Sequence, residues 1–363
     1  MVLVLLTLEK HQDGIWVTRL VESLGRCGWN GCEDDRRKIE IIPIERFFHG
    51  SPPTQNIFQN VTGIINRVSD AAEPVAFKTT VAILMAAQQR GIPVFNGPQA
   101  YSLCANKFCH HVIFESARVQ SPPSRVVANA SVRDIAECIV ESADSSCHSA
   151  TSGRNDLLQY PILTKPNAGG FGSGIHYIND DKALQRLTDD KLATCDGIRL
   201  VQNYIQPADD CIYRVWFLVD CCCKGDKKKK KKVQCSVQRR VGSETAANDL
   251  TAGCVGGVCQ RPQSNASTTA TPSWLQACVV SDEIQQDVQR IVSQIPDAHA
   301  GSIEYLWSSD GVPLYFDLNL LSTLPLPETV QQADEVWGRD YDPWMELARS
   351  ILCVLDADNK CTE

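Results

Sequence analysis

The chain has 363 residues, 43% of them hydrophobic, which is long enough for two or three layered cores and too long for one ordinary domain. A net charge of −8 argues against a nucleic-acid binder that works by general electrostatics. No run reaches the ~18 apolar residues of a membrane-spanning helix. The start, "MVLVLLTLEK", has neither a basic stretch nor a small-residue cleavage site, so it reads as a buried first strand of a cytoplasmic protein.

In chain order, a strand over 1–8 precedes a helix over 15–25 with apolar helical spacing and a terminal glycine. "KIEIIPI" (38–44) and "VTGIINRVS" (61–69) are strands, a helix follows near 75–90, and "IPVFNG" (92–97) is a short strand. Strands alternating with helices predict an open, mostly parallel sheet. A single helix is expected in "PQAYSLCANKFCHHVIFESA", with proline in its first turn. After the extended "VQSPPSRVV" and a polar loop at 141–156 come the strand "YPILTK", a glycine loop, a helix near 180–192 and the strand "IRLVQNYI" (198–205). "CIYRVWFLVDCC" (211–222) and "VQCSVQRRV" (233–241) read as a hairpin. Six consecutive lysines, 227–232, lie in its connection. Such a run repels itself and reads as a solvated loop tip, a basic docking patch or import signal being the alternative. A low-complexity loop (260–273), a helix (281–294), a second hairpin (301–321) and a C-terminal helix (341–355) complete the chain.

Seventeen cysteines are many, but no C-x2-C spacing marks a zinc site; Cys27 and Cys32, Cys104 and Cys109, and Cys254 and Cys259 share C-x4-C, and Cys221–Cys223 are consecutive. Free thiols are expected. The sequons at Asn60, Asn129 and Asn265 read as chance matches.

The stretch "KPNAGGFGSG" (165–174) carries the chemistry. It fails the Walker A pattern, since Ile175 and His176 stand where lysine and serine or threonine belong, and it fails G-x-G-x-x-G at Ile175. What remains is a glycine turn that drapes over phosphates through backbone N–H groups, or a plain hairpin turn. Lys165 closes the strand just before it, within reach of a phosphate. Far downstream, Glu304 and Asp317 face one another across a hairpin turning at "SSDG", and Asp317 and Asn319, two apart, share one strand face. Two carboxylates and an amide oxygen in apolar surroundings form a hard oxygen site suited to Mg²⁺.

Taken in order over residues 92–325, these motifs resemble the ATP-grasp superfamily. The resemblance rests on "IPVFNG" and the helix with Lys107, "SPPSRVV", "YPILTKPNAGGFGSGI", "LVQNYI", "IYRVWFLV", "QRRV" and "IEYL…YFDLN". It implies an α/β fold passing to α+β in the C-terminal half, with an N-terminal parallel-sheet domain over 1–97. Two α+β subdomains would follow, 98–206 with the glycine lid and 207–363 with the metal site, holding the nucleotide between them. It also implies that Lys107 and Lys165 contact the nucleotide phosphates while Gly169, Gly170, Phe171, Gly172, Ser173 and Gly174 close over them. Gln202, Asn203, Tyr204 and Ile205 would line the adenine pocket, with Asp210 at the ribose. Arg214, and Arg239 or Arg240, would steady the transferring phosphoryl group. Glu304, Asp317 and Asn319 would hold one or two Mg²⁺ ions, or Mn²⁺ in their place.

Three features depart from the family pattern. The hinge has Gln-Asn where many members carry an acid, the metal motif reads D-x-N where E-x-N is commoner, and "NDLTAGCVGG" matches only loosely, through Asn248. The activity implied is an ATP-dependent ligase that joins a small-molecule carboxylate to an amine. A small-molecule kinase and a non-catalytic nucleotide-binding regulator are the alternatives, and neither a nucleic acid nor a membrane is an expected partner. Acceptor determinants are expected in 1–91, where Asn66, Arg67 and Ser69 end a strand; Arg67 either holds a substrate carboxylate or caps a loop.

Overall fold

The computed structural model describes residues 1–29, 37–48, 58–69, 73–139, 158–169, 172–219, 231–240 and 275–355. Strands β1 (Val2–Thr7), β2 (Lys38–Pro43), β3 (Val61–Asn66) and β4 (Val94–Phe95) form a parallel sheet in the order β2-β1-β3-β4. Strand alternation divides β1 between two cores. Leu3 and Leu5 pack towards α1 (Ile15–Arg26) and the C-terminal helix Pro343–Leu355, whereas Val4 and Leu6 pack towards α2 (Pro74–Gln89). The chain's last described helix therefore belongs to the same core as its first strand. Trp344, Leu347, Ile351 and Leu355 are buried with Leu3, Leu24 and Trp216, and each such side chain contributes about 1.5–3 kcal/mol by leaving water.

A second sheet, antiparallel, contains β5 (Ser124–Ala128), β6 (Ile162–Pro166), β7 (His176–Ile178) and β8 (Ile198–Asn203) in the order β5-β8-β6-β7. The third, also antiparallel, is β9 (Cys211–Val219), β10 (Lys231–Arg240), β11 (Leu275–Ala277), β12 (Ala300–Trp307) and β13 (Pro313–Asn319), ordered β11-β10-β9-β12-β13. One face of this third sheet is covered by helices: Val215, Phe217, Ile303 and Tyr315 pack against Phe114 and against Ile284, Val288 and Ile291 of the helix Asp282–Ser293.

Three sequence expectations change. The long helix after Gly97 is two, α3 (Pro98–Cys104) and α4 (Lys107–Ser116), because the Asn106 side chain accepts the Cys109 N–H and caps a new start. Both pack on the third sheet. The helix near 180–192 is two short pieces, Asp181–Leu184 and Asp189–Leu192. Of the lysine tract, 227–230 lie outside the described residues, but Lys231 and Lys232 open β10, and the Lys232 ammonium lies 3.7 Å from Glu346. The loop 260–273 and the polar stretch 141–156 also fall outside. Among the described residues no helix is long and apolar enough to cross a membrane. The described cysteines are free, Cys104 and Cys109 included.

Asn96 is a hydrogen-bonded joint between the first and third sheets. Asn96, 3% exposed and at φ 57°, donates to the carbonyls of Ala300 (2.9 Å) and Leu320 (3.2 Å) and accepts from the N–H groups of His299 (2.8 Å) and Ala300 (3.0 Å). Its amide is thereby fully satisfied, and it tolerates the left-handed backbone better than most residues. Replacing it leaves buried backbone groups without partners. Asn96→Ala is expected to cost about 3 kcal/mol or more in urea unfolding; an unchanged midpoint would show that the clamp is not structural.

Candidate active site

The third sheet supplies a row of charges. Glu304 on β12 stands directly opposite Asp317 on β13 and, on its other side, opposite Arg214 on β9, so all three share one sheet face. The Arg214 Nε donates to Glu304 Oε1 at 2.6 Å, and a second guanidinium N–H reaches the same oxygen. Between the Glu304–Asp317 and Tyr305–Tyr315 pairs the register slips, leaving Phe316 as an extra residue. This bulge turns both Phe316 and Asp317 towards the same cleft, as bulges beside active sites commonly do. Asn319, two residues on, accepts the Leu321 N–H at 2.8 Å with its side-chain oxygen.

Opposing carboxylates on neighbouring strands repel. Arg214 answers Glu304; His110, Lys107 and Lys165 answer Asp317. His110, on the turn of α4 after Lys107, places Nδ1 3.4 Å from Asp317 Oδ1 while Nε2 donates to the Cys104 carbonyl at 2.8 Å. Desolvation raises the Asp317 carboxyl, but the hydrogen bond from His110 and the charges of Lys107, His110 and Lys165 outweigh it and hold the group below the ordinary carboxylate range.

The second sheet brings Lys165 and the glycine loop. Lys165, 5% exposed at the end of β6, donates to Gln202 Oε1 at 2.7 Å and lies 5.3 Å from the Phe316 ring centre. The glycine loop is tied at both ends: Lys107 Nζ donates to the Gly169 carbonyl at 2.7 Å, and the buried Arg199 donates to the Gly174 carbonyl. Gly169 (φ 119°) and Gly174 (φ 70°) occupy left-handed backbone, and a Cβ on Gly174 would lie 2.9 Å from Pro166 Cγ. Gly170 and Phe171 lie outside the described residues. Asn167 joins this sheet to α4: its carbonyl accepts the Lys107 N–H and its side chain accepts the Phe108 N–H at 2.9 Å.

These groups meet in one cavity of about 310 Å³, lined by Lys107, Lys165, Gly169, Gly172, Ser173, Arg214, Glu304, Asp317 and Asn319. Across it lie Thr7, His11, Gly14, Trp16, Arg67 and Ser69 of the first sheet's edge. Four Lys and Arg side chains line the cavity against two carboxylates, a balance that favours anions. The hinge residues do not line it. Gln202 is buried between Lys165 and Ser124, Asn203 accepts the Gln159 N–H, and Asp210 accepts from Gln206. Tyr204 instead joins Tyr177 and Ile212 in an apolar cluster that reaches the cavity through Phe316. Arg239 is on the Arg214 face, two residues along β10 from Val237, which pairs with Arg214, and Arg240 is on the opposite face; neither lines the cavity. Asn248 lies outside the described residues. Sequence reasoning did not single out His110, Asn167 or Phe316, although "KFCHH" does place His110 one helical turn from Lys107.

A divalent cation fits the donor set. The oxygens are hard, and Asp317, facing Glu304, keeps about a third of its side chain open. Among the described residues no group of three or more His, Cys, Asp or Glu side chains could hold a metal, so the set rests on two carboxylates with the Asn319 amide oxygen.

No family model matches the sequence, and no curated protein matches it. Solved structures do. A RimK domain ATP-grasp protein from Sphaerobacter thermophilus aligns at 14% identity over 96% of this chain and 99% of its own, with a TM-score of 0.56. The ATP-grasp ligase PsnB, complexed with a minimal precursor, aligns at 14% identity over 97% and 98%, with a TM-score of 0.57. The D-cycloserine synthetase DcsG aligns at 10% identity over 96% and 99%, with a TM-score of 0.56. The chain therefore has the ATP-grasp fold from its first sheet to its C-terminal helix.

Lys165 of the cavity also acts on His111, beside His110. Burial, then the charges of Lys165 and His110, lowers its pKa from 6.5 to about 4. The native state thus resists a proton that the unfolded chain accepts. Its contribution to stability is intact above pH 6.5 and is lost as pH falls from there towards 4. Wild type is expected to lose more stability than His111→Gln between pH 7 and pH 4.5 in denaturant titrations; parallel profiles would remove this account.

Proposed function

We propose that the chain is an ATP- and Mg²⁺-dependent ligase that activates a substrate carboxylate as an acyl phosphate for attack by an amine. The observation that carries this reading is the single cavity in which two lysines, a tied glycine loop, Arg214 and the Glu304–Asp317–Asn319 oxygens converge. ATP-grasp neighbours support it, among them PsnB complexed with Mg and ADP. A precursor is bound in PsnB, and DcsG is named for a small molecule, so both peptide and small-molecule acceptors suit the reading.

In this scheme the adenine lies against the Tyr204, Ile212 and Phe316 cluster, and the triphosphate runs from there beneath the glycine loop. Lys165 exchanges the Gln202 oxygen for a phosphate oxygen, and Lys107 exchanges the Gly169 carbonyl for another, which frees the loop to close. The substrate carboxylate attacks the terminal phosphorus and the bond to the bridging oxygen breaks, releasing ADP. An amine nitrogen then attacks the acyl carbon, expels inorganic phosphate and loses a proton. Arg214 faces the transferring group and offsets the charge that develops there. Glu304, Asp317 and Asn319 would hold one or two Mg²⁺ ions, or Mn²⁺, which supply charge neutralisation at the β- and γ-phosphate oxygens. The reaction needs neither nucleic acid nor membrane and belongs to a cytoplasmic enzyme.

Incubation with ATP, Mg²⁺ and pooled metabolites, followed by phosphate release and product mass, tests the reading. Condensed product with ADP and free phosphate is expected; a phosphorylated metabolite without phosphate release would make the protein a kinase. A melting temperature unmoved by ATP would contradict both, because a bound ligand must stabilise the fold. The Asp317→Ala, Asn319→Ala double variant is expected to lose Mg²⁺-dependent turnover about a hundredfold or more with its circular dichroism unchanged. Full activity would remove the metal assignment.

A further inference from the structure

The wall of the cavity built by the first sheet has no part in phosphoryl transfer, yet it is shaped for an anion. Helix α1 starts there on Gly14, at φ −68° and ψ 150°, with no side-chain cap. The N–H groups of Ile15, Trp16 and Val17 have no acceptor within the helix, and the helix dipole adds positive potential at that end.

A second observation is independent of the helix. Thr7 is 1% exposed and lines the cavity, and its hydroxyl has no hydrogen-bond partner. By strand alternation Thr7 shares the face of Leu3 and Leu5, the face that α1 covers. Trp16, on the same wall, likewise has a buried indole N–H without a partner. An orphaned buried hydroxyl has lost its water without a replacement partner, so a ligand that satisfies it is rewarded.

Arg67 completes the wall. Its guanidinium carbon lies 3.2 Å from the Trp16 ring centre and one N–H donates to the Leu321 carbonyl at 2.9 Å, which fixes the charge in place. Among the described residues no carboxylate of the first sheet's elements lines the cavity; the two that do are Glu304 and Asp317 on the opposite side.

We propose that this wall binds a second, non-reacting carboxylate of the acceptor, held by the first turn of α1, Thr7 and Arg67, so that the ligase acts on dicarboxylates. The inference rests on the ligase reading and names its acceptor class. One carboxylate is anchored on the first sheet while the other faces Arg214 and the phosphoryl donor, which orients the acceptor from both ends.

Glutarate and butyrate are the probes, titrated into the full chain with and without a non-hydrolysable ATP analogue and Mg²⁺, and followed by amide and indole NMR shifts. Glutarate is expected to bind about tenfold more tightly than butyrate, as a charge-assisted contact provides. It should shift the Ile15–Val17 amides and the Trp16 indole. Gly14→Asp places a capping carboxylate on those N–H groups, with backbone dihedrals that suit it and a new Cβ 3.1 Å from the His11 carbonyl oxygen, and is expected to abolish the shifts while the analogue still raises the melting temperature. Thr7→Val, nearly isosteric, is expected to weaken glutarate about threefold to tenfold. Equal binding of the two acids, or glutarate shifts that persist in Gly14→Asp, would overturn the proposal. A wild-type protein that ignores the ATP analogue would overturn the ligase reading instead, and the titrations without nucleotide would still decide the anion wall.

Discussion

Glu304 and Asp317 stand opposite one another on neighbouring strands, and two carboxylates in that position repel unless cations lie beside them. The surrounding structure can be read as the supply of those cations from different elements. Arg214 comes from the next strand of the same sheet, Lys107 from α4 and Lys165 from the second sheet, with His110 of α4 beside Asp317. Removing Arg214 would leave Glu304 without the guanidinium that faces it in a partly desolvated place, which costs more than the pair itself gains. With Arg67, these lysines and Arg214 outnumber the two carboxylates of the cavity, so the arrangement that settles the carboxylates also attracts a polyanion.

Holding charges from three sheets at hydrogen-bond range requires rigid joints, and two asparagines provide them. Asn96 ties the first sheet to β12 through both ends of its amide, and Asn167 ties the strand of Lys165 to the start of α4 beside Lys107. The bulge at Phe316 is the third device, since it lets one strand present an apolar ring and a carboxylate to the same cleft. Between these joints the glycine loop is held at Gly169 by Lys107 and at Gly174 by Arg199.

Much of this was legible in the sequence, and the pattern of what was not is physical. The alternation of strands and helices foretold the parallel first sheet, and the two hairpins of the third sheet fall where "YRVWF" and "YFDLN" placed them. Asp317 and Asn319 share a face because strand alternation leaves no choice. The break between α3 and α4 escaped because Asn106 caps a helix only once Lys107 is held by Asn167, a contact 60 residues away in the chain. His110 escaped because its partner lies on another element, and Thr7 because an orphaned hydroxyl shows only in packing. Arg239 and Arg240 were equivalent in sequence; register alone separates their faces. The hinge residues are turned towards Lys165, Ser124 and neighbouring loops, which no local pattern conveys.

The central claim is that the charge row and the tied loop together form a site for a nucleotide triphosphate with its metal. A crystal structure with a non-hydrolysable ATP analogue and Mg²⁺ tests it most directly. The account predicts the triphosphate between Lys107, Lys165 and the glycine loop, with the metal on oxygens of Glu304, Asp317 and Asn319. A nucleotide bound elsewhere, or a metal held by other side chains while Arg214 still grips Glu304 and Asp317 faces only His110, would contradict it.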